Sequence, residues 1–85
     1  SMPRKKFETN PELPYHIGGR CINREWFSCS MDEVWRIMSD QLFFVHHAFN
    51  IRIHAFVLMS NHFHLIARSP DANLSEAMRW FMNQT

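Results

Sequence analysis

Two histidines one residue apart, in His62-Phe63-His64, are the side chains of this chain best spaced for chemistry. On an extended strand, residues i and i+2 point to the same face, about 7 Å apart along the chain. Imidazoles so placed can converge on one divalent cation from a rigid element, whereas a helix needs i and i+4 for the same task. The competing reading is two surface histidines with no ligand. His46 and His47 illustrate it: adjacent on a helix, they diverge by about 100° and cannot share an ion. His54 reads as a sheet-face histidine close to the pair, and His16 as an ambiguous one on an earlier strand. Cys21 and Cys29 have no zinc-ligand spacing and read as buried or half-buried thiols. Trp26, Trp35 and Trp80 read as packing residues rather than stacking platforms.

The pair needs a scaffold, and the sequence supplies one. Residues 1–13 form an N-terminal arm carrying the basic cluster Arg4, Lys5 and Lys6. Tyr15 to Ile22 is predicted as a first strand, with Gly18-Gly19 marking a bulge, a close backbone approach or a weak strand. Ser30 with Glu33 predicts a capping box opening a long helix. Val34, Met38, Leu42, Val45 and Phe49 give that helix its apolar stripe, and Asn50 a left-handed stop. Strands follow over Ile51 to Leu58 and His62 to Arg68, then a second helix from about Asn73, with Glu76 three residues on. That helix carries Leu74, Ala77, Met78, Phe81 and Met82 on one face and is still running at Thr85.

A three-residue loop Met59-Ser60-Asn61, with Asn61 left-handed, sorts the hairpin into two faces. It places Leu58 opposite His62, Phe56 opposite His64 and His54 opposite Ile66. Ile53, Ala55 and Val57 then share a core face with Phe63, Leu65 and Ala67. The other face gathers Arg52, His54, His62, His64 and Arg68, and a two-residue loop would mix these sets. The β-α-β-β-α order predicts an α+β fold: an incomplete ferredoxin-like split β-α-β sandwich, its antiparallel sheet covered by helices on one face. In the complete strand order 4-1-3-2, strand 1 is shielded by a fourth strand. Its exposed edge predicts a homodimer or a domain swap.

Length and composition bound the rest. Eighty-five residues, 46% hydrophobic and 14% aromatic, make one small domain, here residues 14–85 after the arm. No apolar run approaches the ~18 residues of a membrane span, and no signal peptide opens the chain. Two cysteines exclude a disulfide-dense scaffold. Nine Lys and Arg against eight Asp and Glu give a net charge of +1, which does not by itself announce a nucleic-acid binder.

The stretch Ala55-Phe-Val-Leu-Met-Ser-Asn-His-Phe-His-Leu-Ile66 resembles the His-hydrophobic-His (HUH) signature of the IS200-like, or REP-associated, tyrosine transposases. There a strand is followed by Met-Pro-Asn and His-x-His; here Ser60 stands in place of the proline. Tyr15-His16, Arg20 and Asn23-Arg24 resemble that family's first strand and following turn, and Asn73-Leu74-Ser75 its second helix. The resemblance runs from about Pro14 to the end of the sequence.

It implies a metal-dependent endonuclease and strand-transfer domain acting on single-stranded or hairpin DNA through a 5′-phosphotyrosine, whose bond energy is conserved for rejoining. It implies that His62 and His64 hold Mg²⁺ or Mn²⁺, which polarises the scissile phosphate, and that a helix-borne polar residue completes the coordination. Both imidazoles must be neutral to bind, so activity is expected to fade at acid pH. Arg20, Arg52, Arg68 and the Arg4, Lys5, Lys6 cluster are the expected phosphate contacts. The family's nucleophile lies on a later helix, so it is expected downstream of Thr85. Residues 1–85 are expected to cleave nothing alone. The expected setting is the cytoplasm, associated with the nucleoid. Two further readings are a non-catalytic nucleic-acid-binding relative and a ferredoxin-like binding or assembly module with incidental histidines.

Overall fold

A computed structural model describes residues 9–20, 30–59 and 62–84. Its elements run β1 (Pro14–Arg20), α1 (Met31–Phe49), β2 (Arg52–Leu58), β3 (His62–Arg68) and α2 (Leu74–Gln84). The expected extension of the first strand to Ile22, the basic cluster Arg4, Lys5 and Lys6, both cysteines, Trp26 and Asn61 lie outside the described residues.

Local chemistry explains where the helices begin and end. Ser30 is extended (φ −69°, ψ 160°), and its Oγ accepts the Glu33 N–H at 3.2 Å, satisfying one of the free donors of the first turn of α1. Asp32 and Glu33 place negative charge at the positive end of the helix dipole. Asn50 stops α1 in the left-handed conformation (φ 56°, ψ 38°), and its N–H donates to the Val45 carbonyl. Before α2, the fully buried Ser69 donates its hydroxyl to Asn73 Oδ1 at 2.9 Å. The same Ser69 Oγ accepts the Asn73 N–H at 3.0 Å. Both polar groups are thereby satisfied inside the fold.

The three strands form one antiparallel sheet in the order β1-β3-β2. Both helices contribute to a single core: Val34, Met38, Leu42 and Val45 from α1, Leu74, Ala77 and Phe81 from α2. These meet Phe63, Leu65 and Ala67 of β3, with Tyr15, Ile17, Ile53, Phe56 and Leu58 packed around them. The alternate β3 residues His62, His64, Ile66 and Arg68 lie on the opposite face. The result is an α+β domain with an open sheet and two helices on one of its faces. No helix among the described residues is long and apolar enough to cross a membrane.

The hairpin corrects the expected register. Met59 N–H donates to the His62 carbonyl at 2.8 Å and Leu58 pairs with Phe63, so only residues 60 and 61 connect the strands, not three. Phe56 pairs with Leu65 rather than His64, and Ala55 takes the place opposite Ile66 that was expected of His54. Phe56 and Leu58 therefore turn toward the core, while Ala55 and Val57 face out, the reverse of the sequence reading. The physical reason is size: burying Phe and Leu removes more apolar surface from water than burying Ala and Val. An irregularity between Ile53 and Ala55, where His54 falls, restores the phase. Ile53 and Ile51 keep their inward positions as a result.

Candidate metal centre

The sheet face that neither described helix covers holds the His-x-His pair. His62 and His64 project from β3 on either side of the fully buried Phe63, both half-buried, with ring centroids 5.0 Å apart and planes at 81°. Because β3 is the central strand, the two rings stand on backbone that is paired on both sides. This is the placement that the His-x-His spacing predicts.

A third imidazole joins them. His16 of β1 lies opposite Ile66 and therefore diagonally from His64. Its Nε2 is 2.9 Å from His64 Nδ1, with ring centroids 5.0 Å apart and planes only 13° from parallel. The residue directly opposite His64 is Gly18, so no side chain stands between the two rings. A Cβ there would lie 3.8 Å from His64 Nδ1, an ordinary contact. The sequence left His16 ambiguous; what could have found it is the shared parity of His16, Gly18 and Arg20 on β1, once β1 is paired with β3.

The cationic residues flank this cluster at both ends. Arg20 is exposed directly opposite His62, and with Gly18, Gly19 and His62 it lines a hollow of about 480 Å³. Arg52 and Arg68 face each other across β2 and β3 at the far end of the strand. That end is six residues from His62, or about 20 Å along an extended chain. Neither guanidinium has an ion-pair partner among the described residues. Like charges directly opposite each other are unfavourable.

Other expected positions separate from the site. His54 falls at the irregularity of β2 and lines a groove of about 680 Å³ with Trp35, Phe43, His46 and Phe56, away from His62 and His64. Arg52 and Arg68 line the same groove, and His54 itself has no partner in the β2–β3 register. His46 Nδ1 is 2.7 Å from the Ile51 carbonyl oxygen, and His47 packs edge-on against Phe43. Their ring centroids are 4.8 Å apart in a T-shaped arrangement, yet each is committed to a different neighbour. Trp80 stacks on Phe44, a packing role, while Trp35 leans on Phe56 and remains about half exposed. Tyr15, the only tyrosine of the chain, lies on the core side of the sheet, opposite Ala67. Its hydroxyl accepts the Asn10 N–H at 2.7 Å.

The donor set fits a divalent cation in part. Two imidazoles would offer two nitrogen donors, a set that favours Mn²⁺ and later first-row ions over Mg²⁺. No group of three His, Cys, Asp or Glu side chains among the described residues is arranged to hold a metal ion. The remaining positions of a cation held by His62 and His64 would belong to water, phosphate oxygen or another residue. Comparison of the chain with protein-family models, curated proteins and solved structures yields no match.

Proposed function

We propose that this chain carries the metal-binding half of a single-stranded DNA endonuclease and strand-transfer domain, of the kind its HUH-like triplet resembles. The observation that carries this reading is the side-by-side projection of His62 and His64 from the central strand, on the face that the helices leave open. The β-α-β-β-α order and the β1-β3-β2 sheet support a ferredoxin-like arrangement, three of whose four strands stand among the described residues. On this reading the protein works in the cytoplasm, on single-stranded or hairpin DNA.

The residues divide the work. His62 and His64 would hold Mn²⁺ or Mg²⁺, whose chemistry there is Lewis-acid polarisation of a phosphate oxygen. Arg20, beside His62, neutralises phosphate charge next to the pair, and Arg52 with Arg68 holds the backbone further along the same sheet. The Trp35, Phe43 and Phe56 groove next to Arg52 and Arg68 offers aromatic surface to a base beyond those phosphates. Tyr15 cannot act as the nucleophile, because the sheet separates its hydroxyl from the histidines. On this reading the attacking hydroxyl is not that of Tyr15.

The same position of Tyr15 favours a second reading, a relative that binds nucleic acid without cutting it. Both readings predict Mn²⁺-dependent binding of single-stranded DNA by residues 1–85 and no covalent DNA adduct. Titration calorimetry with Mn²⁺, on the chain and on the His62→Ala, His64→Ala double variant, tests the shared step. At least a tenfold loss of Mn²⁺ affinity in the variant is expected. Equal affinity in both would leave only a binding or assembly module with incidental histidines. A covalent adduct formed by residues 1–85 would overturn the exclusion of Tyr15.

A further inference from the structure

We propose that His16 is a positioning residue for His64: it accepts the His64 Nδ1–H and so turns the lone pair of His64 Nε2 outward as a ligand. The inference rests on the metal reading of His62 and His64 and adds to it a residue from a different strand.

The geometry is that of an in-plane hydrogen bond. The two nitrogens are 2.9 Å apart while the ring centroids are 5.0 Å apart. The difference is nearly twice the radius of an imidazole ring, so both nitrogens lie close to the line joining the centroids. With the planes 13° from parallel, the rings meet edge to edge rather than face to face. An N–H in the plane of one ring then points at the lone pair in the plane of the other, the strongest alignment available to two imidazoles.

Proton bookkeeping gives the bond its direction. A neutral imidazole has one N–H and one lone pair. If His16 donated from Nε2, the only lone pair of His64 would be spent on Nδ1, and its Nε2–H would repel a cation. If His64 donates from Nδ1, its Nε2 lone pair is free. Only the second arrangement lets His64 serve as a ligand, and it requires His16 to carry its own proton on Nδ1. His16 is exposed, so that Nδ1–H can donate to water. Histidine ligands commonly donate their second N–H to an acceptor that fixes tautomer and ring orientation, and losing that partner typically costs 10–100-fold in affinity.

The local sequence serves this contact. Diagonal residues in an antiparallel pair stand about 7–8 Å apart, within reach of long side chains. His16 and His64 are such a diagonal pair, and Gly18 leaves the space over β1 into which the His64 ring leans.

The test uses Mn²⁺ calorimetry on the wild-type chain, His16→Phe, His16→Gln and His64→Ala, with long-range ¹H–¹⁵N spectra of the metal-free protein. Phe keeps the ring and removes the acceptor; Gln restores an acceptor oxygen. The expected result is a 10–100-fold weaker Mn²⁺ affinity for His16→Phe and substantial recovery for His16→Gln, with thermal unfolding unchanged in both. The spectra should show wild-type His64 protonated on Nδ1, and loss of that preference in His16→Phe. Wild-type affinity in His16→Phe, or a wild-type His64 protonated on Nε2, overturns the inference alone. Loss in both His16 variants equal to that of His64→Ala makes His16 a ligand and also overturns it. A wild-type chain that takes up no Mn²⁺ overturns the metal reading and this inference together.

Discussion

Gly18 and Gly19 are adjacent in β1, yet the strand's alternation gives them opposite duties. Gly19 faces the core opposite Phe63, where an added Cβ would lie 2.8 and 2.9 Å from the Phe63 ring and 3.0 Å from Met82 Cε. Phe63 is fully buried, so its ring has no room to yield. Gly19→Ala is therefore expected to cost about 1–3 kcal/mol, the range for overpacking a filled core. Gly18 faces outward with only ordinary contacts, and Gly18→Ala is expected to stay within about 0.5 kcal/mol of wild type. Urea unfolding of the two variants measures both values, and equal destabilisation would contradict the division. The sequence offered a bulge, a close approach or a weak strand for this dipeptide; the close approach is what the structure holds, at Gly19. Choosing among them needed the residue opposite, Phe63, which is 44 positions away in the chain. His16 was obscure for the same reason. His62 and His64 were legible because their relation is local: the period of a strand alone puts them on one face.

Among the elements, the link from β3 to α2 is the most constrained. Ala72 N–H donates to the Ser69 carbonyl at 2.9 Å, and Ala72 itself adopts a positive φ of 54°. A left-handed conformation costs an alanine roughly 1–2 kcal/mol, and glycine avoids that steric penalty while losing about 0.5–1 kcal/mol of chain entropy. Ala72→Gly is thus expected to stabilise the domain by about 0.5–1 kcal/mol, read as a higher urea midpoint at unchanged slope. A lower midpoint would show that the turn carries no strain. Ser69-Pro70-Asp71 is a turn signature, but nothing in the sequence announced the left-handed residue that ends it, since alanine does not mark positive φ. Asn50, which is one, correctly predicted the stop of α1. The ends of α1 and the span of β3 were readable because caps and alternation are written within a few residues. The β2 register was not. Its alternation fits either phase, and the outcome depended on which of Phe56 and Leu58 or Ala55 and Val57 the helices would cover. An irregularity at His54, which no residue type signals, then let Ile53 stay inside as well.

At the scale of the whole molecule, the sheet has two outer strands, and they are not equally guarded. β2 is irregular at His54, and α1 packs beside it. Bulges and flanking elements of this kind discourage edge-to-edge pairing. β1 is regular over seven residues, pairs only with β3 among the described residues, and contains no acidic residue or lysine. Pro14 removes one donor, at its first position only. A small domain that buries only about 60% of its unfolded surface gains much from covering such an edge. Self-association of residues 1–85 is therefore expected to run through β1. Sedimentation from roughly micromolar to millimolar protein should show a growing dimer. Hydrogen exchange across the same range should show β1 amides gaining protection while those of β2 do not. A chain that stays monomeric throughout, with its outward β1 amides exchanging freely, would mean that this edge is not a docking strand. The association also bears on the site, because His16, Gly18 and Arg20 stand on β1 itself. Pairing at the edge would stiffen the strand that carries His16, so Mn²⁺ affinity is expected to rise with protein concentration if His16 positions His64. A dimer formed by any other surface would leave that affinity flat.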